Sequence, residues 1–233
     1  MVAVESKGQS CADCSVRDLS LCASLDKDEM REFAHFGHQI HFSPCETVFA
    51  QEDMTTSFYN LVDGVMRLYK LLPDGRRQIV GFSLPGDFLG MAPSGRHGFS
   101  ADAIGPVTVC RFGRTAFARF AEDKPHLLRR INEVAVRELD QARDHMVLLG
   151  RRSAEEKVAT FLIGWRDRLA QLRGPSTNVA LPMSRLDIAD YLGLTIETVS
   201  RTFTKLEREG VLDILIGGIS LRDSSRAEAL AAA

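Results

Sequence analysis

From about His38 to Phe112 the apolar residues come in short runs: TVFAQ, SFYNLV, VMRLYKLL, RQIVGFSL and VTVCRF. Turn-forming clusters, SPCE, VDG, LPDG, LPGD and IGP, separate them at nearly regular spacing. Short strands rich in Val, Ile, Phe and Tyr between such turns predict a closed or double-sheet β-barrel of jelly-roll type. Between Thr115 and Leu149 the turn signals stop. Apolar residues there recur at Ile131, Ala135, Leu139, Ala142, Met146 and Leu149, the period of one face of a helix. That stripe is narrow and too long for one small barrel to cover. It therefore predicts a seam against a second copy of the chain, with packing on its own barrel as the alternative. Arg137, Asp140, Arg143 and Asp144 would flank the seam.

A second domain follows. A helical stretch from Ser153 to about Leu172 carries the single tryptophan, Trp165, and ends in a GPSTN loop. Ser184 is placed to cap RLDIADYL, Gly193 to make a tight bend, Thr195 to cap the next helix and Gly210 to end it. The segment VLDILIGGISLRD alternates into two short strands about a Gly-Gly turn. Two short helices joined by a glycine turn and followed by a hairpin make a winged helix-turn-helix. The fold class expected is thus α+β. Its parts are a cysteine-rich segment over 1–30, a β-barrel sensor domain over 31–114, a dimerisation helix over 115–150 and a winged helix-turn-helix over 151–233.

Composition narrows the function. A chain of 233 residues with 45% hydrophobic content can bury a core for each of two domains. No apolar run approaches the roughly 20 residues that span a bilayer, and MVAVESKGQS lacks the apolar centre of an export signal, so no membrane partner and a cytoplasmic location are expected. A formal net charge of −2 excludes a strongly basic nucleic-acid coat but leaves room for a small DNA-reading surface. Among the motifs, no nucleophile elbow, phosphate-binding loop or H-E-x-x-H stands out, which argues against an enzyme. The histidines at 35, 38, 41, 97, 126 and 145 show no ligand spacing.

In LTIETVSRTFTKLEREG, residues 194–210, Ile196, Val199, Phe203 and Leu206 fall on one helical face and Glu197, Ser200, Arg201 and Thr204 on the other. Arginine can donate two hydrogen bonds to guanine O6 and N7, and a carboxylate can accept from the amino group of cytosine, so Arg201 and Glu197 together suit a G·C pair in the major groove. Thr195, Thr198 and Lys205 are placed for phosphates, and Ser200 lies beside Arg201 on the reading face. The alternative is a solvated face on which Glu197 and Arg201, four apart, form an ion pair.

The stretch IADYLGLTIETVSRTFTKLEREGVL resembles the DNA-binding motif of the CRP/FNR regulators, with E-x-x-S-R carrying the match. Barrel, long helix and winged helix occur in that family's order over nearly the whole chain. In the FNR and FixK branches these residues read the TTGAT half of a palindrome, so the resemblance implies double-stranded DNA of the type TTGAT-N4-ATCAA, a homodimer, and contact with RNA polymerase for which the loop LLPDGRRQ, residues 71–78, is a candidate. The chain departs from the cyclic-nucleotide members: Gly90 and Met91 stand where their acid is expected, and Phe99-Ser100-Ala101 where Arg-Ser-Ala is expected. A cyclic phosphate would lack its charge-paired anchor unless Arg96 stood in, so cyclic nucleotide is not expected to be the ligand.

The remaining signal is cysteine. Four of five fall in the first 45 residues, and CADCSVRDLSLC sets thiols at C-x2-C-x7-C, a spacing that brings two sulfurs to one metal centre. The resemblance implies a fourth ligand at Cys110, in VTVCRF, and a 4Fe-4S cluster on Cys11, Cys14, Cys22 and Cys110 whose loss to oxygen releases the DNA-binding dimer. The seven-residue spacer is longer than in the best-known members. Zinc on the same sulfurs and unligated thiols are the alternatives. So are a FixK-like regulator without a cluster and a small-molecule-responsive one. Cys45, in the turn FSPCET, matches no ligand position.

Overall fold

The computed structural model describes residues 4–6, 11, 14–92 and 94–232, and divides into two compact units, Met1–Leu139 and Asp140–Ala233.

In the first unit two antiparallel sheets enclose a barrel. One has five strands in the order β1-β2-β9-β4-β7: β1 (Val4–Ser6), β2 (Gly37–Phe42), β4 (Ser57–Asp63), β7 (Phe88–Leu89) and β9 (Val107–Gly113). The other has four in the order β3-β8-β5-β6: β3 (Thr47–Phe49), β5 (Met66–Leu71), β6 (Arg77–Ser83) and β8 (Ser100–Ala103). Side chains alternate across a strand, and β9 uses both faces. Val107 and Val109 enter the barrel core with Ile40, Leu61, Met66 and Ala101, whereas Phe112, buried at 2%, and Cys110 turn the other way. On that second face they meet α1 (Lys27–Ala34), held at its start by a capping box between Asp26 and Glu29, and α2 (Arg114–Ala121). Phe33, Phe112, Phe117 and Phe120 make this second core, with Phe33 and Phe112 ring centroids 4.3 Å apart.

The long helix differs from its sequence expectation at its start. α2 closes at Ala121, and α3 (Pro125–Arg151) starts afresh at a proline, whose missing N–H costs nothing in a first turn. Of the predicted seam, Ala135, Leu139, Ala142 and Met146 are exposed, Met146 at 63%. Ile131 instead packs against the phenylalanine core and Leu149 is half-buried, so the free stripe runs through Leu128, Ala135, Leu139, Ala142 and Met146.

The second unit contains α4 (Ala154–Arg173), α5 (Arg185–Leu192), α6 (Ile196–Arg208), a three-stranded sheet in the order β10-β12-β11, and α7 (Ser224–Ala232). Its strands are β10 (Asn178–Ala180), β11 (Leu212–Leu215) and β12 (Gly218–Leu221). Ser153 and Ser184 each close a capping box on the acid three residues ahead, Glu156 and Asp187. Trp165 Nε1 donates to the Ala180 carbonyl at 2.8 Å, fastening α4 to β10. Arg152 donates to Thr160 Oγ1 and to the Ala231 carbonyl, and Arg166 pairs with Glu228 at 2.8 Å, so α7 lies tied along α4.

Candidate DNA-reading helix and thiol cluster

The turn between α5 and α6 follows from two residues. Gly193 adopts φ +62°, a left-handed conformation that closes α5 without a Cβ clash. Two residues on, Thr195 accepts a hydrogen bond from the Thr198 N–H at 3.2 Å and opens α6. Val199, Phe203 and Leu206 are buried to 1% or less, which fixes the rotation of α6 about its axis. Ile196 was expected on that face but is 40% exposed. Thr202, buried at 6%, joins the buried face and donates to the Thr198 carbonyl at 2.9 Å.

Glu197, Ser200, Arg201 and Thr204 line the exposed face. The Glu197 carboxyl sits below its ordinary range, first because its own backbone N–H and the Thr195 hydroxyl bond it, and to a smaller extent because Arg201 is near. It is therefore a carboxylate ready to accept. Among the described residues no hydrogen bond or ion pair holds Arg201, leaving its fork of donors open to solvent. Thr198 is half-buried, its hydroxyl 3.1 Å from that of Thr195. Lys205 is placed differently from a free phosphate contact: its ammonium meets Glu155 on α4 and lies 3.8 Å from Glu209.

In the first unit three of the four predicted sulfurs meet at the phenylalanine core, and Cys14 is half-buried. Cys22 is buried in the phenylalanine core, and Cys11 and Cys110 pack against it. Burial, the largest effect, pushes the Cys22 thiol up to about 11, and the thiolates of Cys14 and Cys11 add to it. Cys110 is pushed up further, first by burial and then by Cys11, Cys22 and Cys14. Cys11 is raised by burial and by Cys14. Cys11, Cys22 and Cys110 are thus all harder to ionise than a free thiol, chiefly through burial. A cation placed among them reverses that sign, because metal-bound thiols ionise outright. The β2 backbone also comes close: a Cβ on Gly37 would lie 2.6 Å from the Phe112 ring and 3.4 Å from Cys110 Sγ. Among the described residues no three His, Cys, Asp or Glu side chains stand in closed ligand geometry. Cys45 lies apart, exposed in a turn at φ +65° with its N–H on the Ala103 carbonyl.

The residues standing where the cyclic-nucleotide members place their acid and Arg-Ser-Ala, and Arg96 beside them, make contacts within the barrel. Arg96 donates to the Glu52 carbonyl at 2.6 Å, Ser100 Oγ accepts from the Gln51 N–H at 2.9 Å, and Gly90 takes φ +96° with the Ser57 carbonyl 2.7 Å from where a Cβ would be. His126 pairs with Glu29 at 3.0 Å, while His97 stacks on Phe49 with centroids 4.0 Å apart.

A barrel, a long helix with an unfilled apolar stripe and a helix-turn-helix whose second helix presents Glu197 and Arg201 define a DNA-binding regulator, not an enzyme. Residues 39–124 match the family described as the cyclic nucleotide-binding domain, and residues 181–212 the bacterial regulatory proteins of the crp family. The chain belongs to the CRP/FNR family of transcription regulators, on its FixK-like side. It is 70% identical to the nitrogen fixation regulation protein FixK of Bradyrhizobium diazoefficiens over 100% of this chain and 98% of that protein. It is 37% identical to the transcriptional activator protein FnrL of Cereibacter sphaeroides over 87% of this chain and 83% of that one. Among solved structures it resembles FixK2 from Bradyrhizobium japonicum, 39% identical, TM-score 0.79, covering 84% of this chain and 98% of the other. No helix among the described residues is long and apolar enough to cross a membrane.

Proposed function

We propose that this protein is a homodimeric, oxygen-responsive transcription activator that binds TTGAT-N4-ATCAA-like palindromes under the control of a 4Fe-4S cluster held by Cys11, Cys14, Cys22 and Cys110. The observation that supports the reading is the packing of Cys11 and Cys110 against the phenylalanine core in which Cys22 is buried, while Cys45 stands apart in an exposed turn. A cluster bound there would supply an oxygen-labile cross-link between the N-terminal segment and β9. The chain's own part is to hold the sulfurs, to surround them with Phe33, Phe112, Phe117 and Phe120 that exclude water, and to keep β9 in register.

At the other end the protein contributes two arms, Arg201 as donor and Glu197 as acceptor, with Thr195 and Thr198 toward the phosphates. The stripe Leu128, Ala135, Leu139, Ala142 and Met146 is the surface for the second copy. The loop at 71–78, tightened by the Gly75 N–H on the Leu72 carbonyl and an Arg76–Asp74 pair at 2.7 Å, exposes Leu71 and Leu72 toward a polymerase. Activation is supported by the names of the FixK and FnrL relatives. A FixK-like regulator working through thiol chemistry alone is the second reading, favoured by the open arrangement of the sulfurs. Iron and acid-labile sulfide analysis of anaerobically purified protein separates the two. Stoichiometric iron and sulfide with a brown colour lost in air supports the cluster, and colourless protein with neither overturns it.

A further inference from the structure

Cys110 sits on the central strand of a three-strand row. On β2 its direct partner is Gln39 and on β4 it is Asn60. Residues directly opposite in an antiparallel pair project to the same face with Cβ atoms about 4.5–5.5 Å apart. Phe58 and Phe112, one pair along the same ladder, confirm which face this is, because both pack in the phenylalanine core. A carboxamide therefore stands on each side of the Cys110 thiol. Gln39 is half-buried. Asn60 is 2% exposed, and its Oδ1 is buried with no hydrogen-bond partner among the described residues.

A buried amide oxygen without a partner is destabilising, so a core position holding one invites a reason beyond packing. An apolar residue of the same volume would pack this site without that penalty. The carboxamide has the property the neighbouring sulfur needs, since it both accepts and donates. Its oxygen can accept from a protonated thiol, and after a half-turn of the amide its N–H can donate to a thiolate.

Resting on the cluster reading above, we propose that Asn60, assisted by Gln39, is a positioning residue for Cys110 that donates an N–H hydrogen bond to its sulfur when that sulfur is a ligand. Hydrogen bonds to ligand sulfurs orient them and tune the centre they hold. Asn60 enters the same face as the phenylalanines.

The test uses the full-length chain, anaerobically reconstituted with iron and sulfide, as wild type and as Asn60→Leu, Asn60→Asp and Asn60→Ser. Leu keeps the volume without a donor, Asp keeps the shape without the N–H, and Ser keeps a shorter donor. We expect Leu and Asp to release iron to a ferrous chelator about ten- to a hundredfold more readily than wild type, the usual scale for losing such a partner. Their Fe–S stretching bands should shift, while Ser stays near wild type. A packing role alone predicts instead that Asp, the closest in shape, behaves as wild type. Release rates and stretching bands unchanged in both Leu and Asp overturn the proposal, and if Leu does not fold, Asp against Ser decides. Cadmium titration of the thiolate absorption in the same proteins keeps the two readings distinguishable. Wild type that binds cadmium but takes up no iron and sulfide refutes the cluster and leaves Asn60 to be judged on cadmium affinity. Wild type that binds neither overturns both.

Discussion

Arg185, the first residue of α5, lays its guanidinium 3.3 Å above the ring centroid of Phe203 on α6. Phe203 is 1% exposed, so the pair joins the buried face of the reading helix to the start of its predecessor. Arg185→Ala should lower the stability of the C-terminal unit by about 0.5–2 kcal/mol, the range of a cation–π contact from exposed to desolvated. Arg185→Lys should restore only part of it, since an ammonium lacks the flat face that stacks. Thermal melts of residues 140–233 within the full chain, followed by Trp165 fluorescence, check this.

For sequence reading, Arg201→Ala should cost about 1–3 kcal/mol per half-site and flatten discrimination at the G·C position of the palindrome. Anaerobic binding to the intact palindrome and to one with the guanines replaced measures it. Equal ranking of the two DNAs by wild type and variant would return Arg201 to a solvated helix face.

Lys205 gives the opposite kind of expectation. Its ammonium is engaged by Glu155 and neighboured by Glu209, so Glu155→Gln should free it for a phosphate. Affinity should then rise for all DNA sequences alike, and the slope of log affinity against log salt should steepen by about one unit. Titrations at several salt concentrations, on specific and random DNA, report both effects.

His145 on α3 stacks on Tyr191 of α5, centroids 4.2 Å apart, with neither ring nitrogen partnered among the described residues. Burial, and then Lys157 on α4, hold its pKa below the ordinary 6.5. Tyr191 carries no charge near neutrality, since burial raises its pKa although Arg168 nearby opposes this. The folded state thus binds the proton less well than the unfolded chain, and stability is present above pH 6.5 and lost as pH falls below it. His145→Phe keeps the stack and should flatten that dependence, as melts between pH 5 and 8 would register.

Cys11→Ser, Cys14→Ser, Cys22→Ser and Cys110→Ser should each abolish iron and sulfide uptake, and Cys45→Ser should leave it unchanged. Gly37→Ala should also reduce uptake by driving the Phe112 ring toward Cys110, and Gly37→Ala with Phe112→Leu should recover it, because leucine lacks the ring atoms that a Cβ would strike. Iron analysis of the set decides.

Much of the architecture was legible because it is written locally. Caps at Ser184 and Thr195 and the left-handed Gly193 are decided within four residues, and barrel strands announce themselves by alternation between turns. The convergence of Cys22 with Cys110, by contrast, was reached only through family resemblance, since sequence spacing says nothing of contacts 88 residues apart. What was missed depends on distant partners. β10 becomes a strand by pairing with β12, and α7 is held by Arg166 and Arg152 rather than by a strong stripe of its own. Lys205 looked free because Glu155 is fifty residues away. Asn60 looked like an ordinary polar residue in SFYNLV until the pairing register set it opposite Cys110.

The two-faced use of β9 carries a mechanical corollary. Val109 fills the barrel and Cys110 the outer face, so a slip of one residue would exchange them, burying a thiol among aliphatics and presenting valine to the other sulfurs. The barrel's interior packing is therefore the clamp that sets the fourth sulfur. By reciprocity, whatever grips that sulfur braces the barrel: a chain holding its ligand should melt higher, exchange the amide protons of β9 more slowly and resist proteolysis between the strands, whether or not DNA is present.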